Sequence, residues 1–293
     1  MPAFQPKALV FDLMGTCLDW HSALLPALRD AAATFPSSAF PDETSLSRLA
    51  LDWRQGFFDE IQAHFDRGEE QEDIDVTHRR VLDRLLEEKG LGEGCGERTR
   101  QKLVLQWHKQ IGQCIRFFAE RAAHIHRGAA WPDVLPALER LRKRFFVVVL
   151  ANGTVRLELD LIRSSGLPFH ALFSSELLGL IKASGSPPVV AEGAGEGKGA
   201  YLYTRIPQPD PAIYRKVLDL LQVQPEDALM VAAHAYDLRA AKQVGMKTAY
   251  IQRWTEDERE DMAKVREDVD VFVDGRGGSR EAGLAELAAR LGV

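Results

Sequence analysis

The hydrophobic pattern changes period twice along the chain. Residues 8–11 form an apolar run that stops at Asp12, and Gly15 and Thr16 follow within a turn's length. A short apolar run bounded in this way reads as a strand buried on both faces. From about residue 21 the period becomes helical. Segments near 21–34, 43–66, 74–90 and 97–124 repeat apolar residues every three or four positions, as amphipathic helices do. Pro36, Pro41, Gly68 and a glycine cluster over 90–96 separate them. Nothing between 21 and 127 reads as a strand, so this region predicts a helical insert.

From Trp131 the chain returns to alternation. A helix near 133–144 leads to a β-branched run at 145–150 that ends in Ala151, Asn152 and Gly153. Helices follow near 154–165, 211–221, 236–244 and 280–291, with strands near 171–174, 228–233, 247–251 and 271–273. This alternation predicts an α/β protein with a Rossmann-like parallel sheet and helices on both faces. The expected division is a core of residues 1–18 and 128–293, with a helical cap over 19–127. Residues 183–208 do not fit, since five Gly and three Pro leave little prospect of a packed element. Gly197 and Lys198 suggest a phosphate-binding loop, but position 192 is Glu and position 199 is Gly, so that reading is rejected.

Composition narrows the function classes. The 293 residues are 45% hydrophobic and 27% charged, ordinary values for a globular chain with a sizeable core. A net charge of −6 argues against nucleic acid or an anionic membrane surface as partner. The longest apolar stretch, 145–151, is far too short to span a bilayer. The first strand comes too early for a signal peptide to precede it. Cys17, Cys95 and Cys114 are odd in number and lack metal or redox spacing, so a reducing, cytoplasmic compartment is expected. Cys17 reads as a small buried hydrophobe. His124 and His126 read as surface or core residues, without ligand spacing.

Three strands end in polar residues: Asp12, Asn152, and the 232–237 segment Ala-Ala-His-Ala-Tyr-Asp. In a parallel sheet these ends face one crevice. Asp12 is there either a nucleophile or metal ligand, or an ordinary Asp that turns the chain.

The motifs Asp-Leu-Met-Gly-Thr (12–16), Trp-Arg-Gln (53–55), Ala-Asn-Gly (151–153), Pro-Asp-Pro-Ala-Ile-Tyr (209–214) and Ala-His-Ala-Tyr-Asp (233–237) together resemble the haloacid dehalogenase superfamily. Within it they are most similar to the type II, L-2-haloacid dehalogenase branch. The resemblance covers nearly the whole chain apart from 183–208 and implies the fold of that superfamily with an inserted cap. Its phosphatases carry a second Asp two positions after the nucleophile, where this chain has Met14. A thioether neither protonates a leaving alkoxide nor suits a hard cation, whereas a halide leaves without an acid.

The resemblance therefore implies a cofactor-free hydrolase in which Asp12 displaces halide from a small L-2-haloalkanoate and forms an ester that water then hydrolyses. Arg54 would receive the halide. Lys182, with backbone N–H groups of the first turn, would stabilise the oxyanion, and Asp237 would hold that lysine or the water. Asn152 would orient substrate or water, with Met14, Tyr214, His234 and Tyr236 completing the substrate site. The family commonly has Ser at position 151, and Ser and Asn at 232 and 234; here stand Ala151, Ala232 and His234. His234 would replace an amide donor or act as a base toward water.

Lys182 is expected as the functional lysine because omitting 183–208 joins it to Pro209 and restores the family's Lys-Pro-Asp pattern. The intervening segment reads either as a surface loop or as translated non-coding sequence. The partner would be a 2-haloacid or related carboxylate, with neither nucleic acid nor membrane, and the resemblance favours a homodimer. Two further readings stay open: a Mg²⁺-dependent phosphatase of the same superfamily, and a degenerate relative that only binds a carboxylate.

Overall fold

A computed structural model describes residues 5–36, 38–67, 72–109, 130–180 and 211–293. Lys182, the 183–208 segment and the end of the fourth helical segment lie outside the described residues.

The sheet grows outward from its first strand. In β1 (Ala8–Phe11) all four residues are buried. It pairs in parallel with β2 (Phe146–Ala151) on one side and with β4 (Ala228–Ala232) on the other. Ala8 faces Phe146 in the first register and Ala228 in the second. Adding β3 (Ala171–Ser174), β5 (Lys247–Gln252) and β6 (Val271–Asp274) gives one parallel sheet in the order β3-β2-β1-β4-β5-β6. The chain leaves β1 toward one flank and later fills the other. The carboxyl end of β1 is thus the topological switch point, where open α/β sheets form their ligand crevice.

Strand alternation assigns the two faces. Leu9, Phe11, Val147, Val149, Val231 and Ile251 pack on one side with α5 (Val134–Leu141), α6 (Val155–Ser165) and α11 (Gly283–Arg290). Val10, Val148, Leu150, Met230 and Tyr250 pack on the other with α8 (Pro211–Leu221), α9 (Ala235–Gln243) and α10 (Met262–Asp268). Both faces are covered, which is why the strands read as continuous apolar runs rather than alternating ones.

The insert after β1 is helical, as its period predicts. It comprises α1 (Trp20–Ala32), α2 (Glu43–Asp66), α3 (Ile74–Glu88) and α4 (Glu97–Lys109). Side-chain caps start three of them: Asp19 accepts from the Ser22 N–H at 3.0 Å, Asp42 from the Ser45 N–H at 2.8 Å, and Asp73 from the Asp75 N–H at 2.8 Å. Their buried faces meet in a separate apolar cluster containing Trp20, Leu24, Leu49, Trp53, Val81, Leu82 and Trp107. Met14 packs against both this cluster and the core beside β1. Two short helices, α7 (Ser175–Leu178) and α10, were not predicted, because neither is long enough to show a helical period.

Candidate functional site

The turn after β1 is held from several directions at once. Gly15 has φ +83°, and a Cβ there would lie 2.3 Å from the Glu256 carboxyl carbon. Both facts require glycine. The Gly15 carbonyl accepts from Trp131 Nε1 at 2.8 Å, and the Thr16 carbonyl from Arg253 Nε at 3.2 Å. Arg253 is itself clamped by Asp133 through two 2.9 Å bonds. The fixed turn presents Asp12, which is 7% exposed, at the mouth of the switch point.

Asp12 Oδ2 accepts from the Thr16 hydroxyl at 2.7 Å, and that hydroxyl accepts in turn from the Ala233 N–H at 2.8 Å. Thr16 thereby ties the β1 turn to the end of β4. The same carboxylate oxygen lies 3.2 Å from His234 Nδ1. On the far side of the ring, His234 Nε2 lies 2.8 Å from Glu256 Oε2. Glu256 also accepts from Trp20 Nε1 at 2.5 Å and from the Thr255 hydroxyl at 2.9 Å. The result is a buried line of groups, Asp12–His234–Glu256.

Electrostatics give this line a definite protonation. Burial is the largest influence on His234 and opposes its charge, but Asp12 and Glu256 together outweigh it and hold the imidazole well above its usual pKa. Glu256 shows the counterpart. Burial opposes its ionisation most strongly, while His234, Arg54 and Trp20 together hold it below the usual carboxylate range. With a carboxylate oxygen at each ring nitrogen, both shifts favour the imidazolium beside the Glu256 carboxylate.

From the insert, α2 brings Arg54 to the same place. Its Nη2 lies 4.0 Å from Glu256 Oε2, and its guanidinium carbon sits 4.4 Å from the Phe58 ring centre, 5.7 Å from Trp20 and 5.8 Å from Trp107. Arg54 Nε is buried with no hydrogen-bond partner among the described residues. Aromatic faces attract a cation without consuming its N–H donors, so the guanidinium is kept charged and under-occupied.

Below the crevice, the Tyr214 hydroxyl donates to Asp237 Oδ1, and both side chains are fully buried. Burial and the adjacent Asp237 push the Tyr214 phenol well up, so it stays a donor. Tyr236 is half-buried, with its ring 5.5 Å from that of His234; burial, Asp237 and Asp12 raise its phenol likewise. Asn152 follows β2 and is exposed on the crevice rim. The structure therefore brings together Asp12, Met14, Arg54, Tyr214, His234, Tyr236 and Asp237, leaves Asn152 at the edge, and does not describe Lys182.

Sequence reasoning missed Glu256. It lies in a polar run, Thr255 to Glu260, that has the composition of a solvated loop. The available signal was indirect, namely a glycine at position 15 and a histidine at position 234 that both needed something opposite them. Among the described residues, no group of three or more His, Cys, Asp or Glu side chains is placed to hold a metal ion. No helix among them is long and apolar enough to cross a membrane.

Comparison with known proteins agrees with this architecture. The chain is 23% identical over 252 residues to (S)-2-haloacid dehalogenase 4A of Burkholderia cepacia, covering 84% of this chain and 83% of that one. The crystal structure of the L-2-haloacid dehalogenase PA0810 superposes with a TM-score of 0.68 at 25% identity, covering 98% and 99% of the two chains. The defluorinating L-2-haloacid dehalogenase Rha0230 shares the fold, with a TM-score of 0.68 at 22% identity over 100% and 98% of the two chains. The family model for haloacid dehalogenase-like hydrolases matches residues 6–245. With that match spanning most of the sheet, the first turn and the helical insert, the chain belongs to the haloacid dehalogenase-like hydrolases.

Proposed function

We propose that this hydrolase displaces halide from small L-2-haloalkanoates through a covalent ester on Asp12. The observation that carries the reading is a buried carboxylate at the switch point linked through His234 and Glu256 to a buried, under-occupied guanidinium from the insert. Displacement at carbon needs an anionic nucleophile on one side and a stabiliser of the departing anion on the other. Asp12 and Arg54 supply the two. Met14 stands where a phosphatase needs an acid and an oxygen ligand, and halide needs neither. The names of the relatives support the same substrate class.

In this reading the C2 carbon is attacked from behind by Asp12 while Arg54 receives the halide, inverting the centre. Asn152 at the rim orients the substrate carboxylate or the water, and Tyr236 with Met14 lines the apolar side. Tyr214 fixes Asp237, which positions Lys182 or the hydrolytic water. His234 is the base toward water that replaces the family's amide. Residues 19–127 act as the cap, and the enzyme works without a cofactor in the cytoplasm as a homodimer.

The direct test is halide release from a panel of L- and D-2-haloacids with and without EDTA. L-selective release unaffected by EDTA is expected. After many turnovers in ¹⁸O-water, mass spectrometry should find the label in the peptide carrying Asp12, since each hydrolysis returns a water oxygen to that carboxylate. Label absent from that peptide, or activity confined to phosphate esters and abolished by EDTA, overturns the reading.

A further inference from the structure

The resting site holds a charge arrangement that ester formation must disturb. His234 is 4% exposed, and each ring nitrogen faces a carboxylate oxygen, Asp12 Oδ2 at 3.2 Å and Glu256 Oε2 at 2.8 Å. A neutral imidazole has one donor and one acceptor nitrogen, so it satisfies only one of two carboxylates, whereas an imidazolium satisfies both. Glu256 is fixed independently by Trp20 and Thr255 and does not depend on the substrate. Asp12 is the partner whose charge changes during the reaction.

Building on the reading above that Asp12 becomes an ester, we propose that ester formation makes His234 give up its proton to solvent together with the halide. The histidine then enters the second half-reaction as a neutral base held by Glu256.

In the first step the C2–halogen bond breaks, an Asp12 oxygen–C2 bond forms, and halide leaves with its electron pair. Nδ1 then faces a neutral ester instead of an anion, and its N–H proton passes to water. The overall product of this half is one halide and one proton. In the second step water adds to the Asp12 carboxyl carbon and gives one proton to His234 Nδ1. Collapse breaks the acyl carbon–oxygen bond, the other water proton ends on the hydroxy acid, and Asp12 carboxylate faces an imidazolium again. Loss of an opposite charge within 4–6 Å lowers a histidine pKa by about 1–3 units, which shifts His234 toward the neutral imidazole in the ester state. One histidine thus neutralises the nucleophile at rest and deprotonates water afterwards, without a second acid or base.

The test uses the full-length protein. With ¹⁵N-histidine labelling, the His234 resonances are assigned by their loss in His234→Asn and titrated by NMR in the wild type and in Asp12→Asn, where a neutral amide stands in for the ester. The midpoint should fall by one to three units in Asp12→Asn; a shift under half a unit, or a neutral His234 in the wild type at pH 7, overturns the proposal. Asp12→Ser serves the same purpose should the Asn variant fail to fold.

Single-turnover mixing with L-2-chloropropionate in weak buffer, read by a pH indicator and by quenched chloride and lactate, tests the timing. Proton should appear with chloride and ahead of lactate. Proton appearing with lactate overturns the proposal, and where both half-reactions run at one rate the NMR comparison decides. Absence of chloride release would overturn the dehalogenase reading instead and leave the NMR result standing on its own.

Discussion

Two buried arginines border the Asp12 turn, and their surroundings differ in kind. Arg253 is 1% exposed, and its donors are taken up. Nη1 and Nη2 meet the two Asp133 oxygens at 2.9 Å each, Nε meets the Thr16 carbonyl at 3.2 Å, and Trp131 lies 4.9 Å from the guanidinium carbon. Arg54 is 9% exposed, yet Nε has no partner among the described residues and its ion pair with Glu256 is 4.0 Å long. Desolvating a charge is expensive, and only close, complete pairing recovers the cost. Arg253 has that pairing and works as a strut. Arg54 is surrounded by rings that tolerate its charge and leave its donors for a ligand.

The sharpest way to break this contrast is to truncate both. Arg253→Ala leaves Asp133 buried without its cation, a loss of about 3–5 kcal/mol, which for a chain of this size lowers Tm by roughly 10 °C. The damage spreads because Asp133 also accepts from the Leu284 N–H at 2.6 Å, and Gly283, at φ +54°, has no room for a Cβ against it. Arg54→Ala should leave Tm within about 3 °C of wild type, since its close pairing is incomplete from the start. Thermal melts decide the matter, and equal losses in the two variants would erase the distinction.

Function should rank the two arginines the other way round. Arg54→Lys keeps the charge but loses the planar fork, and should lower kcat/KM for halide release by about a hundredfold or more, roughly 2.7 kcal/mol of transition-state stabilisation. Its Tm should stay near wild type. Near-normal kinetics in Arg54→Lys would remove Arg54 from the anion-receiving role.

The same contrast explains what the sequence made legible. Strands β1, β2 and β4 were readable because burial on both faces requires continuous apolar runs, and the cap helices because a single buried stripe imposes a helical period. Asp12 and His234 could be placed together, with Asn152 on the rim, because parallel strands end on one side. Arg54 and Arg253 are the same letter in the sequence, and only three-dimensional pairing separates a saturated guanidinium from an available one. Without the Trp-Arg-Gln resemblance, neither would have stood out. Glu256 was hidden for a related reason. Its burial comes from contacts with residues 15, 20 and 234, which no local pattern in an acidic loop encodes.

Asp257 extends the contrast to carboxylates and gives the smallest effect. Asp133 has a bidentate cation, whereas among the described residues the Asp257 Oδ2 has only the Ala235 N–H at 2.7 Å and the Tyr250 hydroxyl at 3.2 Å. Burial pushes Asp257 up to about 6, with His234 and the Ala235 N–H opposing the shift. The folded chain therefore holds this proton more tightly than the unfolded chain, whose Asp titrates near 3.9. The stabilising effect of the raised pKa is complete below about pH 4 and is lost as pH rises through about 6, so above that the ionised group weighs against folding. Asp257→Asn retains an oxygen that accepts from Ala235 and carries no charge to bury. Relative to wild type, its Tm should be unchanged near pH 3.5 and higher by a few degrees at pH 8, with the difference growing between about pH 4 and 6. A Tm difference that stays constant across this range would show that the Asp257 charge does not weigh on the fold.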